Sequence, residues 1–387
     1  MSEVSKVHAF KSLSRLSGKF RGDLKEHDFI LLYAFNGTGK TRLSMEFKEL
    51  GKQKNDGNPD TLYFNAFTED LFHWDNDLET DTVRTLLINS KSNFFSAITD
   101  KALDMEGRIF KYLERYADFD FKIDYDNWRI TFSRNVIVRR KQYFQSVKVD
   151  DIKISRGEET IFIWCVFLAI CELAIEEKIA NVEGSYAWVK YVYVDDPISS
   201  LDDNNAIAVA SDLAQLLKKG HGHINTVISS HHGLFFNVVY NELNESPFKS
   251  ERFCLHQDKT ASGIVYKLQK TGDSPFFHHL VMLKEMKVAT KTGKLYTYHF
   301  NMLRSIMEKT ASFFGFENFS SCIDGIKDEV LYARALNLLS HGKYSFYEPR
   351  EMVDDTKNLF KRILKAFLDR YEFQLDKIFV DKIKKQS

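Results

Sequence analysis

Little in this sequence is built to stiffen or crosslink the chain. Only five of its 387 residues are proline, which excludes proline-rich recognition tracts and long rigid linkers. Its four cysteines (Cys165, Cys171, Cys254, Cys322) form neither a CxxC pair nor a zinc-type spacing, so a disulfide scaffold or a Cys-rich metal site is not expected. Cys165 and Cys171 sit in an apolar helical run and read as packing residues. No apolar run reaches the ~20 residues that span a bilayer. The N-terminal segment MSEVSKVHAFKSLSR has no apolar h-region, so a cytoplasmic, reduced protein with no membrane partner is expected. Net charge is missing as well, because 54 basic residues balance 54 acidic ones. Nucleic acid would therefore have to be held by a local patch, not by bulk attraction.

Phenylalanine is plentiful, with 33 copies, and favours well-packed cores. A chain of this length exceeds what one core usually supports, so two domains are expected. FILLYAF (29–35), TLYFNAF (61–67), KYVYVDD (190–196) and INTVISSHH (224–232) read as buried strands, and the alternation in 127–149 suggests a hairpin. IFIWCVFLAICELAI (161–175) reads as a buried helix. Strands and helices alternate to about residue 270, which indicates an α/β sheet. Beyond it the apolar spacing turns helical, as in Leu359/Phe360, Ile363/Leu364 and Phe367/Leu368. The boundary is placed there: a domain over 1–270, then a mostly α-helical domain over 271–387.

Residues 34–41, AFNGTGKT, fit the phosphate-loop pattern GxxxxGK[ST] except at the first position, which is alanine. Gly37 and Gly39 allow the amides of Asn36 to Lys40, Thr38 included, to turn inward around phosphate oxygens. Lys40 reaches the outer phosphates, Thr41 ligates Mg²⁺, and the following helix points its positive end at the anion. Asp195 ends the apolar strand YVYV where a magnesium-associated carboxylate must stand, and Asp196 is the candidate base for an attacking water. ISRGEE (154–159) is similar to the ABC signature, with Ser155, Gly157 and Glu158 at the start of a helix that can receive a γ-phosphate. Asp202 closes the SSLD segment (199–202), and His231 follows the next strand as a γ-phosphate sensor. Alone, His231 reads as a structural histidine; this order of elements is what makes it a candidate. The set predicts an ABC-type P-loop ATPase that works as a head-to-tail dimer, one protomer's signature closing the other's site. Ala34, Arg156 and Asp196 depart from the usual residues, which suggests a slow switch more than a pump.

In the C-terminal region, 297–316 predicts a helix with an apolar stripe of Phe300, Leu303, Met307 and Phe314, and with Arg304 and Glu308 at i, i+4. In 331–342 the ~100° per residue of a helix places Arg334, Asn337 and His341 within an arc of about 60°. Taken singly these are an exposed ion pair and a polar helix face. Taken together they hold what a ribonuclease without a catalytic metal needs. His341 exchanges a proton near neutral pH, Arg304 or Arg334 binds phosphate bidentately, and Glu308 acts as base or orients a cation. No D/E/H cluster with metal-ligand spacing occurs in this region. Six Lys/Arg between 283 and 310 oppose two Glu, with Tyr296, Tyr298 and Phe300 among them as candidate stacking residues.

Across YAFNGTGKTRLS (33–44), NAFTEDLFHWDND (65–77), SRGEETIFIW (155–164), DDPISSLDDN (195–204), YHFNMLRSIMEKTASFFG (298–315) and LNLLSHG (336–342), the chain resembles the PrrC family of bacterial anticodon nucleases. The spacing from Arg334 to His341 also resembles the HEPN ribonuclease motif. The resemblance implies an ABC-type ATPase domain followed by a HEPN-like nuclease domain that cuts tRNA, typically a lysine tRNA, in the anticodon loop. It implies catalytic roles for Arg304, Glu308 and His341, anticodon recognition by Asp273, and 2′,3′-cyclic phosphate and 5′-hydroxyl ends. It further implies ATP or GTP with Mg²⁺, dTTP as a regulatory nucleotide, and latency in a type I restriction–modification complex for anti-phage defence. Whether dimers pair into tetramers is left open. Two rival readings are a DNA-end-sensing ABC ATPase, and an ATPase subunit that controls a separate effector, neither with a nuclease of its own.

Overall fold

A computed structural model describes residues 7–65, 71–76, 84–95, 103–139, 144–197, 203–260, 263–270, 278–323 and 351–371. The chain divides into two compact units, Val7–Lys270 and Thr271–Ser387, the latter grouped with Met1–Lys6.

The first unit opens with β1 (Val7–Phe10), α1 (Leu13–Asp23), β2 (Phe29–Ala34), α2 (Lys40–Lys54) and β3 (Thr61–Asn65). Then come β4 (Phe72–Asn76), β5 (Arg84–Ile88), α3 (Met105–Leu113), β6 (Phe119–Asp124), β7 (Arg129–Arg139) and β8 (Phe144–Val149). It closes with α4 (Arg156–Ala180), β9 (Tyr191–Asp195), α5 (Asp203–Lys219), β10 (Asn225–Ser230), α6 (Gly233–Leu243), β11 (Ser250–Thr260) and β12 (Gly263–Lys270).

Seven strands form the main sheet in the order β1-β12-β11-β2-β10-β9-β3. From β11 to β3 the neighbours run parallel, and β12 and β1 complete one edge antiparallel. A parallel strand covered on both faces needs a continuous apolar run, and β2 is buried along its whole length. Its alternate residues serve two cores. Phe29, Leu31 and Tyr33 face one. Ile30, Leu32 and Ala34 face the other, with Leu16 and Phe20 of α1 and Leu43 and Phe47 of α2.

The second sheet runs β4-β5-β7-β6, with β8 paired to β7 in the expected hairpin. Strict βα alternation up to residue 270 therefore does not hold. An antiparallel sheet intervenes between β3 and α4, and β11–β12 is a second hairpin. Helix α4 is buried without a break from Ile161 to Ile175, because it is covered from more than one side. Trp164 and Phe167 pack on Phe64 of β3, while Phe162 packs on Phe121 of β6 and Phe132 of β7. A helix apolar all round is what such a position requires.

In the second unit α7 (His278–Thr292), α8 (Tyr298–Phe314), a 3₁₀ turn (Phe319–Ile323) and α9 (Asp354–Arg370) are described. Phe300, Leu303 and Met307 of α8 are buried, as are Phe360, Ile363, Leu364 and Phe367 of α9. The rings of Phe300 and Phe360 meet edge to face at 5.1 Å. Phe314, expected in the same stripe, is instead 53% exposed. It is the last residue of α8, and Gly315 in the left-handed region (φ 71°) turns the chain away immediately after it.

Candidate functional site

Strand β2 ends at Ala34, and the chain turns through Phe35–Gly39 into α2. The turn depends on positive φ at Gly37 (81°) and Gly39 (99°), a region that costs a side chain ~1–2 kcal/mol. Gly39 is the N-cap of α2 and supplies no side-chain cap, so the first amides of the helix are not capped by that residue. Thr38 Oγ donates to Phe35 O at 2.7 Å and steadies the loop. Lys40 is 6% exposed. Its Nζ donates to Ala34 O (2.9 Å) and Asn36 Oδ1 (3.2 Å) and lies 3.4 Å from Asp196 Oδ2.

Parallel pairing sets the two carboxylates opposite this loop. Asp195 ends β9 level with Asn65 of β3 and Ser229 of β10. Ser229 Oγ donates to Asp195 Oδ1 at 2.6 Å, and the Thr41 hydroxyl also bonds to Asp195. Burial pushes the Asp195 carboxyl above its usual range against these hydrogen bonds. Asp196 follows with φ 53°, its amide donating to Ser229 O at 2.7 Å. Its carboxylate receives the His231 amide (3.2 Å) and Ser230 Oγ (3.3 Å), and His231 Nδ1 is 2.6 Å from both its oxygens. Burial opposes the charge on Asp196, but His231 and Lys40 outweigh it and hold this carboxyl below its usual range. Two adjacent aspartates are thus driven in opposite directions by their surroundings.

Tyr63 and Asn65 belong to this cluster and were not singled out in the sequence. Tyr63 Oη takes hydrogen bonds from Ser44 Oγ (3.0 Å) and Asn65 Nδ2 (3.0 Å). Burial, then the charge of Asp195, raises its hydroxyl pKa. The period-2 register of β3 put both on one face beside Asp195; that register became useful only once β9 was known to be the neighbour. Beside the loop, a cleft of about 520 Å³ is lined by Lys11, Ser12, Thr41, Arg42, Ile264 and Tyr266 among others.

Ser155 is the N-cap of α4 in a capping box: Glu158 N donates to Ser155 Oγ (3.3 Å) and Ser155 N to Glu158 Oε2 (2.7 Å). The other oxygen of Glu158 receives Arg134 Nη2. Burial resists its charge, but the Ser155 and Arg134 bonds hold the Glu158 carboxyl below its usual range. Glu158 thus fixes the start of the helix, while Ser155 and Arg156 are exposed and Gly157 half-buried at its tip. Among the described residues, no hydrogen bond or ion pair joins Ser155, Gly157 or Glu158 to Lys40, Asp195 or Asp196. Asp202 lies outside the described residues.

On α8, Arg304 Nε donates to Glu308 Oε1 at 2.7 Å. The Arg304 guanidinium also lies 5.1 Å from the Phe319 ring centre, and the two side chains are 19% and 48% exposed. Arg334, Asn337, His341 and Asp273 fall outside the described residues, so their relation to this pair is not described. Phe300, a candidate stacking residue from the sequence, is fully buried against Phe360 and cannot meet a base.

Comparisons with known proteins bear on both units. A family model described as an AAA domain matches residues 137–369. An anticodon nuclease from Escherichia coli is 36% identical over 364 residues, covering 88% of this chain and 87% of that protein. The chain belongs to the anticodon nuclease family. In this family member the AAA match begins in β7 and ends in α9, and the first unit has an α/β P-loop ATPase fold. A solved SMC head domain from Thermotoga maritima aligns with 62% of this chain and 89% of that one, at 13% identity and a TM-score of 0.26.

Proposed function

We propose that this anticodon nuclease family member cuts tRNA within the anticodon loop, with a lysine tRNA as its target, under the control of its nucleotide site. The supporting observation is the Arg304–Glu308 pair, held at 2.7 Å on a half-exposed helix flank, in a chain 36% identical to an anticodon nuclease over most of its length. Arg304 binds the scissile phosphate, Glu308 orients it or takes the 2′-hydroxyl proton, and His341 returns a proton to the leaving oxygen. Arg334 and Asn337 complete the site and Asp273 reads the anticodon. The 2′-oxygen bonds to phosphorus as the bond to the 5′-oxygen breaks, leaving a 2′,3′-cyclic phosphate and a 5′-hydroxyl without a catalytic metal.

The residues of the first unit fit a magnesium nucleotide, ATP or GTP. Gly37 and Gly39 open the backbone, Lys40 faces the outer phosphates, and Thr41 and the buried carboxylate of Asp195 stand where a cation would offset their cost of burial. When bound, the cation supplies charge neutralisation at the phosphates. Asp196 orients and deprotonates the attacking water, and His231 reports on the γ-phosphate through its bond to Asp196. Ser155 and Gly157 at the start of α4, with Asp202, close the site of a second copy in a head-to-tail dimer; dTTP is a regulatory ligand. A type I restriction–modification complex holds the protein silent until phage attack.

Incubating purified chain with total tRNA and magnesium nucleotide, then mapping the ends, tests this reading. Anticodon-loop cuts with 5′-hydroxyl ends support it, and intact tRNA under every nucleotide contradicts it.

A further inference from the structure

Helix α8 ends in an exposed aromatic cluster. Phe313 is 86% exposed and Phe314 53%, an unusual position for a side chain that is normally buried. The cluster is ordered by contacts and rooted in the core. Phe313 and Phe314 meet edge to face at 5.4 Å. Phe314 stacks on Phe316 at 5.8 Å and 20°, because Gly315 reverses the chain and Phe316 N donates to Ala311 O at 2.8 Å. Phe314 also lies 5.4 Å from Tyr371, and Tyr371 lies 5.1 Å from the buried Phe367 of α9.

The helix that leads to Tyr371 is basic towards its end. α9 begins with Asp354 and Asp355, with Lys357 paired to Glu351 at 2.6 Å, and then carries Lys361, Arg362, Lys365 and Arg370 against Asp369. Arg370 reaches to 5.9 Å from the Tyr371 ring centre. Aromatic faces beside a cationic helix are the two ingredients of single-strand recognition, since bases stack while phosphates are neutralised. Phe313 lies five positions beyond Glu308, about 7.5 Å along the helix and about 140° around it, and Phe314 lies about 80° from Arg304, so a strand that meets both must pass around the end of α8.

We propose that Phe313 and Phe314 form a stacking platform for unpaired RNA bases that flank the phosphate held at Arg304–Glu308. This rests on the nuclease reading above and adds to it the surface that selects looped over paired RNA. A duplex keeps its bases stacked inside and presents none to the platform.

The test uses the full chain and an RNA hairpin with a seven-nucleotide loop, 2′-deoxy in the loop so that it lacks the attacking hydroxyl, with 2-aminopurine at successive loop positions. The expected result is a fluorescence change on binding at one or two positions. Phe313→Ala and Phe314→Ala should each weaken binding roughly tenfold, Phe313→Trp should restore it, and a blunt duplex of equal length should bind alike to all variants. If wild type cleaves tRNA but Phe313→Ala binds the hairpin as tightly, the platform is overturned and the nuclease reading stands. Unaltered RNA binding with a changed oligomeric mass in Phe313→Ala also overturns it, and assigns the patch to a second copy. A wild type that neither binds the hairpin nor cuts tRNA overturns both.

Discussion

His231 and Asp196 are joined twice, by a backbone amide at 3.2 Å and by Nδ1 at 2.6 Å from both carboxylate oxygens, so the ends of β9 and β10 cannot move independently. Lys40 stands 3.4 Å away across the loop. Any phosphate that draws Lys40 off Asp196 changes the charge His231 experiences. This small triangle ties the phosphate loop to the ends of β9 and β10.

Under the proposed assignment of Asp196 as the base, Asp196→Asn keeps the shape and removes that function. Hydrolysis in single-turnover assays should fall by about 10²–10⁴-fold, with nucleotide affinity changed only a few-fold. Hydrolysis at the wild-type rate would move the base to another residue.

Lys40→Ala should leave the unit folded, since among the described residues its side chain bonds to Ala34, Asn36 and Asp196. Nucleotide binding should be lost in a fluorescence titration, and tRNA cleavage with it. Full cleavage by this variant would show that the nucleotide site is not a required gate.

Gly51 is fixed by packing, not by backbone angle. A Cβ there would lie 2.1 Å from Asp60 Oδ1 and 2.3 Å from Arg21 Nη2. It would split the buried Arg21–Asp60 pair, bonded at 2.8 and 3.0 Å. Breaking such a pair costs about 3 kcal/mol. Gly51→Ala should therefore lower the calorimetric Tm of the first unit by roughly 10 °C. An unchanged Tm would mean that the pair relaxes freely.

His299 is 1% exposed, and its Nδ1 accepts the Tyr296 amide at 3.0 Å. Burial lowers its pKa from 6.5 to about 4. The unfolded chain then binds more protons between these values, so the contribution to stability is complete above pH 6.5 and lost as pH falls towards 4. The slope is ~1.4 kcal/mol per pH unit. Urea unfolding of wild type and His299→Gln at pH 7 and pH 5 should give a stability difference that shrinks by about 2 kcal/mol in acid. A pH-independent difference would contradict the neutral, buried assignment.

The phosphate loop and its strands were legible because their chemistry is local: glycines at the turn, a lysine after them, and carboxylates at the end of YVYV. The buried helix over 161–175 was legible for the same reason. Tyr63 and Asn65 were not, since only the pairing of β3 with β9 brings them to Asp195. For Glu158, the sequence position points to a nucleotide ligand, while its capping role and its bond to Arg134, 24 residues earlier, show only in the fold. Phe314 departs from the stripe that buries Phe300, because it is the last residue of α8 and Gly315 turns the chain away after it. Of the intervening antiparallel sheet only the β7–β8 hairpin shows in the sequence; β4 and β5 are five residues each, too short for a clear period.

The account stands or falls on RNA cleavage. Small RNAs should be sequenced from cells induced for the wild type, or for His341→Ala, with no restriction–modification complex present. Paired fragments ending inside one anticodon loop with the wild type, and their loss in a His341→Ala protein that still binds nucleotide, are the predicted result. Intact tRNA with the wild type, or the same fragments from His341→Ala, would contradict it.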